Sequence, residues 1–392
     1  MFRIGDMELR EIEATIKSKQ LFRVGDIASG HWKQVTTFEK ELCEVIGTKY
    51  SLLLSGGGTA ALTCALVGMG IGPGDEVIVP AYTFMASASA VLMAGAIPVI
   101  ADIDESLGLS AVAAEARITK NTKAIIPVHM IGRAADLDPI MALAKKHNLK
   151  VVEDACQMDG GSYKGRRVGS IGDAGAFSFN DYKILSCGEG GAIVTSDPDI
   201  YEHASIFHDS GAAFRPYAKD YTVPLFLGLQ LRASEIMGAI MRAQLRRLDG
   251  ILSDARRVAN KMRNELNGYN GLRLSPMNDP AGDCGISVSF IFESEEQARK
   301  FAKSPGVGAW LPIDTGKHMF TNWTPLINRN VFHHKRMNPF FFEENQGLQM
   351  DYSPERCPTT TDICKRTAVI STSHDWSEQT VDSKIAACKK AV

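Results

Sequence analysis

The chain has 392 residues, 45% of them hydrophobic and 22% charged, with a formal net charge of −2. That length supports a large core and, as a prior, two domains, while the near-neutral balance gives no electrostatic basis for binding nucleic acid or an acidic membrane. No apolar run approaches the roughly eighteen residues of a membrane span, and the opening MFRIGDMELREIEATIKSK lacks a leader's apolar core, so the cytoplasm is expected.

In chain order, Thr36-Thr37-Phe38-Glu39 offers a capping box ahead of Phe38, Leu42, Val45 and Ile46, with Gly47 as the stop. An apolar SLLL run precedes SGGGTAAL (55–62). EVIVP (76–80), IPVIA (97–101), AIIPVHM (124–130), KVVED (150–154), AGAFSF (174–179) and GAIVTS (191–196) read as buried strands. Between them lie amphipathic stretches such as DPIMALAKKHN (138–148). Strands apolar on both faces, alternating with helices, predict an α/β fold with a mainly parallel sheet covered by helices. Ligands in such sheets sit beyond the carboxyl ends of the strands.

A long helical pattern runs from about Arg232 to Leu266, interrupted at Gly250. ISVSFIF (286–292) alternates as a half-buried strand does, and Ser294 opens a capped helix over SEEQARKFAKS. The expected division is a large α/β domain over 1–249 and a smaller C-terminal α+β domain over 250–392. Eight cysteines are scattered without a CxxC pair and are expected to be reduced. His333-His334 reads as a surface or structural pair, and no metal is expected.

Three stretches carry chemistry. The glycines of SGGGTAAL, between a strand and a helix start, present backbone N–H groups suited to phosphate, and they match neither GxGxxG nor a P-loop. Asp154, after a buried strand, is either a helix N-cap or the carboxylate partner of a cation such as a pyridinium nitrogen. Ser178 and Lys183 follow another strand, ahead of a Gly-Glu-Gly-Gly turn; a partly desolvated lysine can attack an aldehyde to form an imine.

Taken together, these stretches resemble the DegT/DnrJ/EryC1/StrS family, pyridoxal 5′-phosphate (PLP) enzymes that aminate keto- or aldehydo-sugars. The matches are Gly58-Thr59-Ala60-Ala61-Leu62 to GTxAL, Pro80 to Ala86 to PAxTFxA, Pro127 to Gly132 to PVHxxG, Glu153 to Gln157 to EDAxQ, and Ser178 to Gly191 to SFxxxKxxxxGEGG. The resemblance spans residues 36–245 and implies fold type I, that of aspartate aminotransferase, with a seven-stranded type of sheet. It implies that Lys183 holds PLP as a Schiff base and moves the proton during amino transfer. Asp154 would pair with the ring nitrogen, Gln157 with the ring hydroxyl, and Phe84 would stack on the ring, although Phe84 alone reads equally as a core aromatic. Gly58, Thr59 and Ser178 would bind the phosphate.

The family's GxNxR segment, which reaches a neighbouring subunit's phosphate, is here Gly228-Leu229-Gln230-Leu231-Arg232. Gln230 keeps the amide on a longer arm. A shared site implies a homodimer. Relatives that dehydrate instead carry histidine at the lysine position; Lys183 favours amino transfer over dehydration, racemisation or a non-catalytic regulatory role. The resemblance implies L-glutamate as donor, with Arg232 and Lys317 as candidate partners for its carboxylates. Residues 311–340 lack the HYxPLH stretch of nucleotide-sugar members, and TNWxPL and HHxxxNPF point instead to an acceptor without a nucleotide. The expected acceptor is an aldehyde derived from 3-deoxy-manno-octulosonate (Kdo), aminated for lipopolysaccharide, with Arg23, Lys317 or His318 for its carboxylate. A nucleotide-linked keto-hexose and an inositol-type ketone are the alternatives.

Overall fold

A computed structural model of the chain describes residues 3–392. The strands β1 (Tyr50–Leu54), β2 (Glu76–Pro80), β3 (Ile97–Ala101), β4 (Thr122–Ile125), β5 (Lys150–Asp154), β6 (Ala174–Ser178) and β7 (Gly191–Thr195) form one seven-stranded sheet in the order β1-β7-β6-β5-β4-β2-β3. Pairs β2–β3, β2–β4, β4–β5 and β5–β6 are parallel, whereas β7 runs against both β6 and β1. Every residue of β2, β3, β6 and β7 is buried, which is why these segments read as continuous apolar runs rather than alternating ones. Each fully buried Val, Leu or Ile contributes about 1.5–3 kcal/mol, so the sheet interior supplies much of the driving force for folding.

The helix expected behind Thr36 starts earlier, at Gln34, and runs to Ile46 with Gly47 at φ 86°. Its first turn is capped from a distance. The buried Glu235 carboxylate accepts the backbone N–H of Gln34 at 2.6 Å and of Val35 at 3.1 Å. The long helical pattern is also two elements, Glu235–Leu245 and Leu248–Leu266, and the break falls at Arg246-Arg247 with Gly250 inside the second helix.

Beyond residue 250, β8 (Ser287–Ile291) pairs antiparallel with β9 (Thr367–Ser371). The helices Leu248–Leu266, Glu295–Lys303 and Glu378–Lys390 surround this pair around a core containing Val258, Met262, Phe290, Phe301 and Ile385. Ser294 caps the second of these through the N–H of Gln297. β8 is buried on both faces, not one: its serines turn inward, and Ser287 satisfies its hydroxyl on the carbonyl of Ile131 at 2.8 Å. The intervening chain returns to the large sheet, where Met319, Phe320, Trp323, Phe340 and Tyr352 join its core. Among the described residues no helix is long and apolar enough to cross a membrane.

Candidate active site

A cavity of about 530 Å³ opens at the carboxyl ends of β1, β2, β5 and β6. Gly58, Thr59, Phe84, Asp154, Gln157, Ser178 and Lys183 all line it. Residues from Gly56 to Lys183 meet there because parallel strands deliver their carboxyl ends to the same edge of the sheet, and Ile286, Lys317 and His318 join them from the C-terminal part of the chain.

Asp154 ends β5 and is 4% exposed. No helix follows it, so the N-cap reading does not apply; its Oδ1 accepts the N–H of Cys156 at 3.1 Å in a tight turn. Oδ2 accepts the Ser87 hydroxyl at 2.7 Å. Among the described residues no ion pair reaches this buried carboxyl group. A group so placed favours a cationic N–H donor from the cavity.

The helix Gly57–Gly68 begins on the cavity wall with no side chain capping it, leaving its first N–H groups free for an anion. At Gly58 a Cβ would lie 2.4 Å from Cys156 Sγ and 3.1 Å from Ser178 Cβ, so only glycine leaves this corner open. Ser178, at the end of β6, turns toward the same corner.

Lys183 lies on the turn after β6, where its backbone N–H donates to Asn180 at 3.1 Å. Its amine has no hydrogen-bonding partner among the described residues. Gly191 closes the loop against the helix: a Cβ there would meet Gly57 O at 2.4 Å and Phe177 O at 2.7 Å. The loop is tied from beneath by Asp159, whose Oδ2 accepts the Leu185 N–H at 3.4 Å. Burial pushes this carboxyl up to about 8, against the Leu185 N–H and nearby Lys183, which act the other way.

Gln157 is oriented by the backbone, since Ile131 N–H donates to its Oε1 at 3.0 Å and leaves the amide NH₂ as the free end. Glu153, the neighbour of Asp154, points away into the protein. Burial opposes its ionisation, yet His129 and the N–H groups of Gly169, Ile171 and Gly172 hold it below the usual carboxylate range. Ala135 N–H donates to His129 Nδ1, so the ring proton sits on Nε2, facing Glu153 at 3.2 Å.

Phe84 is 40% exposed and lines the cavity, which removes the core-aromatic reading. Its ring meets His318 at 5.8 Å, edge to face. Lys317 stands over the exposed Tyr182 ring at 5.6 Å, and both line the mouth. His318 is partly buried; burial first, then Lys317 and Lys183, push it down to about 4, so it is neutral at physiological pH and pairs with no carboxylate as a cation.

Three other candidates lie outside this cavity. Arg23 is buried against Glu39, with NH2 donating to Oε2 at 3.0 Å. Arg232 is committed to the buried Asp209. Gln230 is exposed, on the strip bridging Asp209, and does not line the cavity of its own chain. Conversely Thr83, Ser87, Asn180, Tyr182, Glu189 and Ile286 belong to the site or its support without having been expected. For Thr83 and Ser87 the four-residue spacing at a helix start was the available signal.

The aminotransferase family model "DegT/DnrJ/EryC1/StrS aminotransferase family" matches residues 3–306. The chain is 44% identical over 225 residues to GDP-perosamine synthase of Caulobacter vibrioides, covering 57% of this chain and 59% of that protein. It is 37% identical over 276 residues to the spore coat polysaccharide biosynthesis protein SpsC of Bacillus subtilis, covering 69% of each. The crystal structure of an aminotransferase from Psychrobacter cryohalolentis superposes with a TM-score of 0.80 at 25% identity, covering 98% of this chain and 96% of that one. The sequence matches thus span about three-fifths to two-thirds of these relatives, and the structural match spans nearly the whole fold. By its family match, its type I fold and the residues gathered at its strand ends, the chain belongs to the DegT/DnrJ/EryC1/StrS aminotransferase family, whose enzymes are PLP-dependent.

Proposed function

We propose that the protein is a PLP-dependent aminotransferase that moves an amino group from L-glutamate to the carbonyl carbon of an anionic sugar. The observation that carries this reading is the juxtaposition, in one cavity, of an unpartnered lysine amine, a buried carboxyl group without a cation, and an uncapped helix start. The donor set fits PLP at each end. Gly58, Thr59 and Ser178 would bind its phosphate, Asp154 would accept from its ring nitrogen, Gln157 would donate to its ring hydroxyl, and Phe84 would cover its face. When bound, PLP supplies a reactive aldehyde and a ring that withdraws electrons from an attached carbon. Lys183 would anchor the cofactor through its amine and, once displaced by the amino donor, carry the proton to and from the reacting carbon.

The acceptor is read from the mouth and from the relatives. Lys317 supplies a cation beside Tyr182, suited to a phosphate or a carboxylate. Similarity to GDP-perosamine synthase supports a nucleotide-linked keto-sugar, which takes precedence over the Kdo aldehyde expected from residues 311–340. Both acceptors are anionic, and they are separated by assay: with glutamate present, 2-oxoglutarate is followed as a GDP- or UDP-linked keto-hexose or the Kdo aldehyde is added. Turnover with the nucleotide-linked sugar supports the first reading; turnover only with the Kdo aldehyde replaces it; release of ammonia without 2-oxoglutarate would exclude transamination.

The same reading includes a homodimer. Phe214, Leu227 and Leu229 are 89%, 90% and 53% exposed, an apolar strip that a second copy would cover. Gln230 lies on this strip, where it would reach the partner's phosphate site rather than its own. Eight free cysteines suit a reducing, cytoplasmic setting.

A further inference from the structure

Behind Asp154 lies a line of hydroxyls. Ser87, in the first turn of the helix Ala86–Met93, and Thr83, four residues earlier, are both 0% exposed. Their oxygens are 2.8 Å apart, and Ser87 Oγ lies 2.7 Å from Asp154 Oδ2. A serine hydroxyl has one proton to give. Asp154 is the nearest acceptor for it, since the alternative, the carbonyl of Phe84, is 3.3 Å away. Ser87 must then accept from Thr83, whose own alternative acceptor is at 3.4 Å. The hydroxyls therefore run one way, Thr83 to Ser87 to Asp154. The Cys156 N–H occupies the other carboxyl oxygen, so Asp154 accepts at both oxygens and any further group meeting it from the cavity must be a donor.

We propose that Thr83 and Ser87 are positioning residues that fix Asp154 as an acceptor and thereby keep the proton on the ring nitrogen of bound PLP. The inference rests on the PLP reading above and goes beyond it by naming what sets the charge on the cofactor ring. The arrangement does by hydroxyl dipoles what an ordered water or a histidine could do, and it does so without admitting solvent, since all three side chains are buried. It also explains why a serine and a threonine, rather than apolar residues, occupy buried positions at and just before the start of the helix Ala86–Met93.

The test compares the unaltered protein with Ser87→Ala, Thr83→Val and Asp154→Asn, each reconstituted with PLP. Three quantities are read: the PLP dissociation constant, the pH midpoint of the visible absorption of lysine-bound PLP, and the single-turnover rate with glutamate. Ser87→Ala is expected to shift the midpoint in the direction of Asp154→Asn and to slow the half-reaction roughly tenfold to a hundredfold, the worth of a hydrogen bond to a charged group. Thr83→Val, one step further back, is expected to shift it the same way by less, and decides the matter if Ser87→Ala does not fold. An unchanged midpoint in both hydroxyl variants overturns the proposal, even if the rate falls, because loss of rate alone is what a purely structural role would give. If the unaltered protein binds no PLP, the PLP reading falls and this inference with it; if it binds PLP and only the hydroxyl variants are silent, the inference alone falls.

Discussion

The backbone N–H of Ile131 holds the side-chain oxygen of Gln157 at 3.0 Å, and it does so from a left-handed conformation, φ 51° and ψ 31°. A β-branched residue in that region costs about 1–3 kcal/mol and persists only when its surroundings fix it. Here Ser287 grips the Ile131 carbonyl at 2.8 Å from the distant strand β8. The outcome is an amide whose NH₂ alone is free to enter the cavity. Gln157→Glu, which replaces that donor by an acceptor, is expected to weaken PLP binding roughly tenfold or more while leaving the fold intact. Equilibrium dialysis against PLP checks this; unchanged affinity would mean the amide does not meet the cofactor.

Space at Gly58 yields a second prediction. A methyl group there collides with Cys156 Sγ at 2.4 Å, so Gly58→Ala should destabilise the protein by about 1–3 kcal/mol and close the phosphate corner. Adding Cys156→Ala removes the nearest clash and should recover part of the stability, but not the PLP affinity, because the new methyl still crowds the corner. Full recovery of affinity in the double variant would argue that phosphate binds elsewhere.

Protonation of Asp159 makes stability depend on pH. Its carboxyl is held up to about 8, chiefly by burial, whereas an unfolded aspartate titrates near 4, as a rough reference. Between those values the folded state binds the extra proton, so this group's contribution to stability falls as pH rises through the window and is gone above it. Asp159→Asn cannot titrate, so its melting temperature should decline less than the unaltered protein's between about pH 5 and about pH 9. Parallel melting curves across that range would exclude the assignment.

Glu235 gives a purely structural test. It donates no chemistry to the cavity, yet its carboxylate accepts two N–H groups at the start of the helix Gln34–Ile46. Glu235→Ala should cost about 2 kcal/mol, visible as a lower urea midpoint, with PLP affinity in the folded protein unchanged. An unaltered midpoint would show that the N–H groups find other partners.

That cap also marks what could be read from the chain and what could not. β2, β3 and β5 coincide with the apolar runs EVIVP, IPVIA and KVVED, because strands buried on both faces announce themselves by composition alone. Asp154 was legible because it ends such a strand, and Gly58 and Lys183 because they sit in the Gly-rich turn and the loop that follow β1 and β6. The start of the helix at Gln34 was not, since its cap comes from a residue 201 positions away and the local Thr36–Glu39 box goes unused. The inward serines of β8 likewise imitate a solvent-facing pattern until Ser287 is seen on Ile131. Lys317 and His318, named along the chain as candidate carboxylate partners, and Ile286, which was not, reach the mouth through long-range contacts such as Thr83 N–H to the His318 carbonyl at 3.0 Å. Arg23 and Arg232 looked like free cations along the chain and prove to be committed to Glu39 and Asp209.

The most direct test of the account is to trap the bond between the lysine and the cofactor. The purified protein is reconstituted with PLP, reduced with borohydride, digested, and its peptides weighed. The added mass is expected on the peptide containing Lys183, and none is expected on Lys183→Ala. Added mass on another lysine, or none on the unaltered protein, would contradict the assignment of Lys183 and the activity built on it.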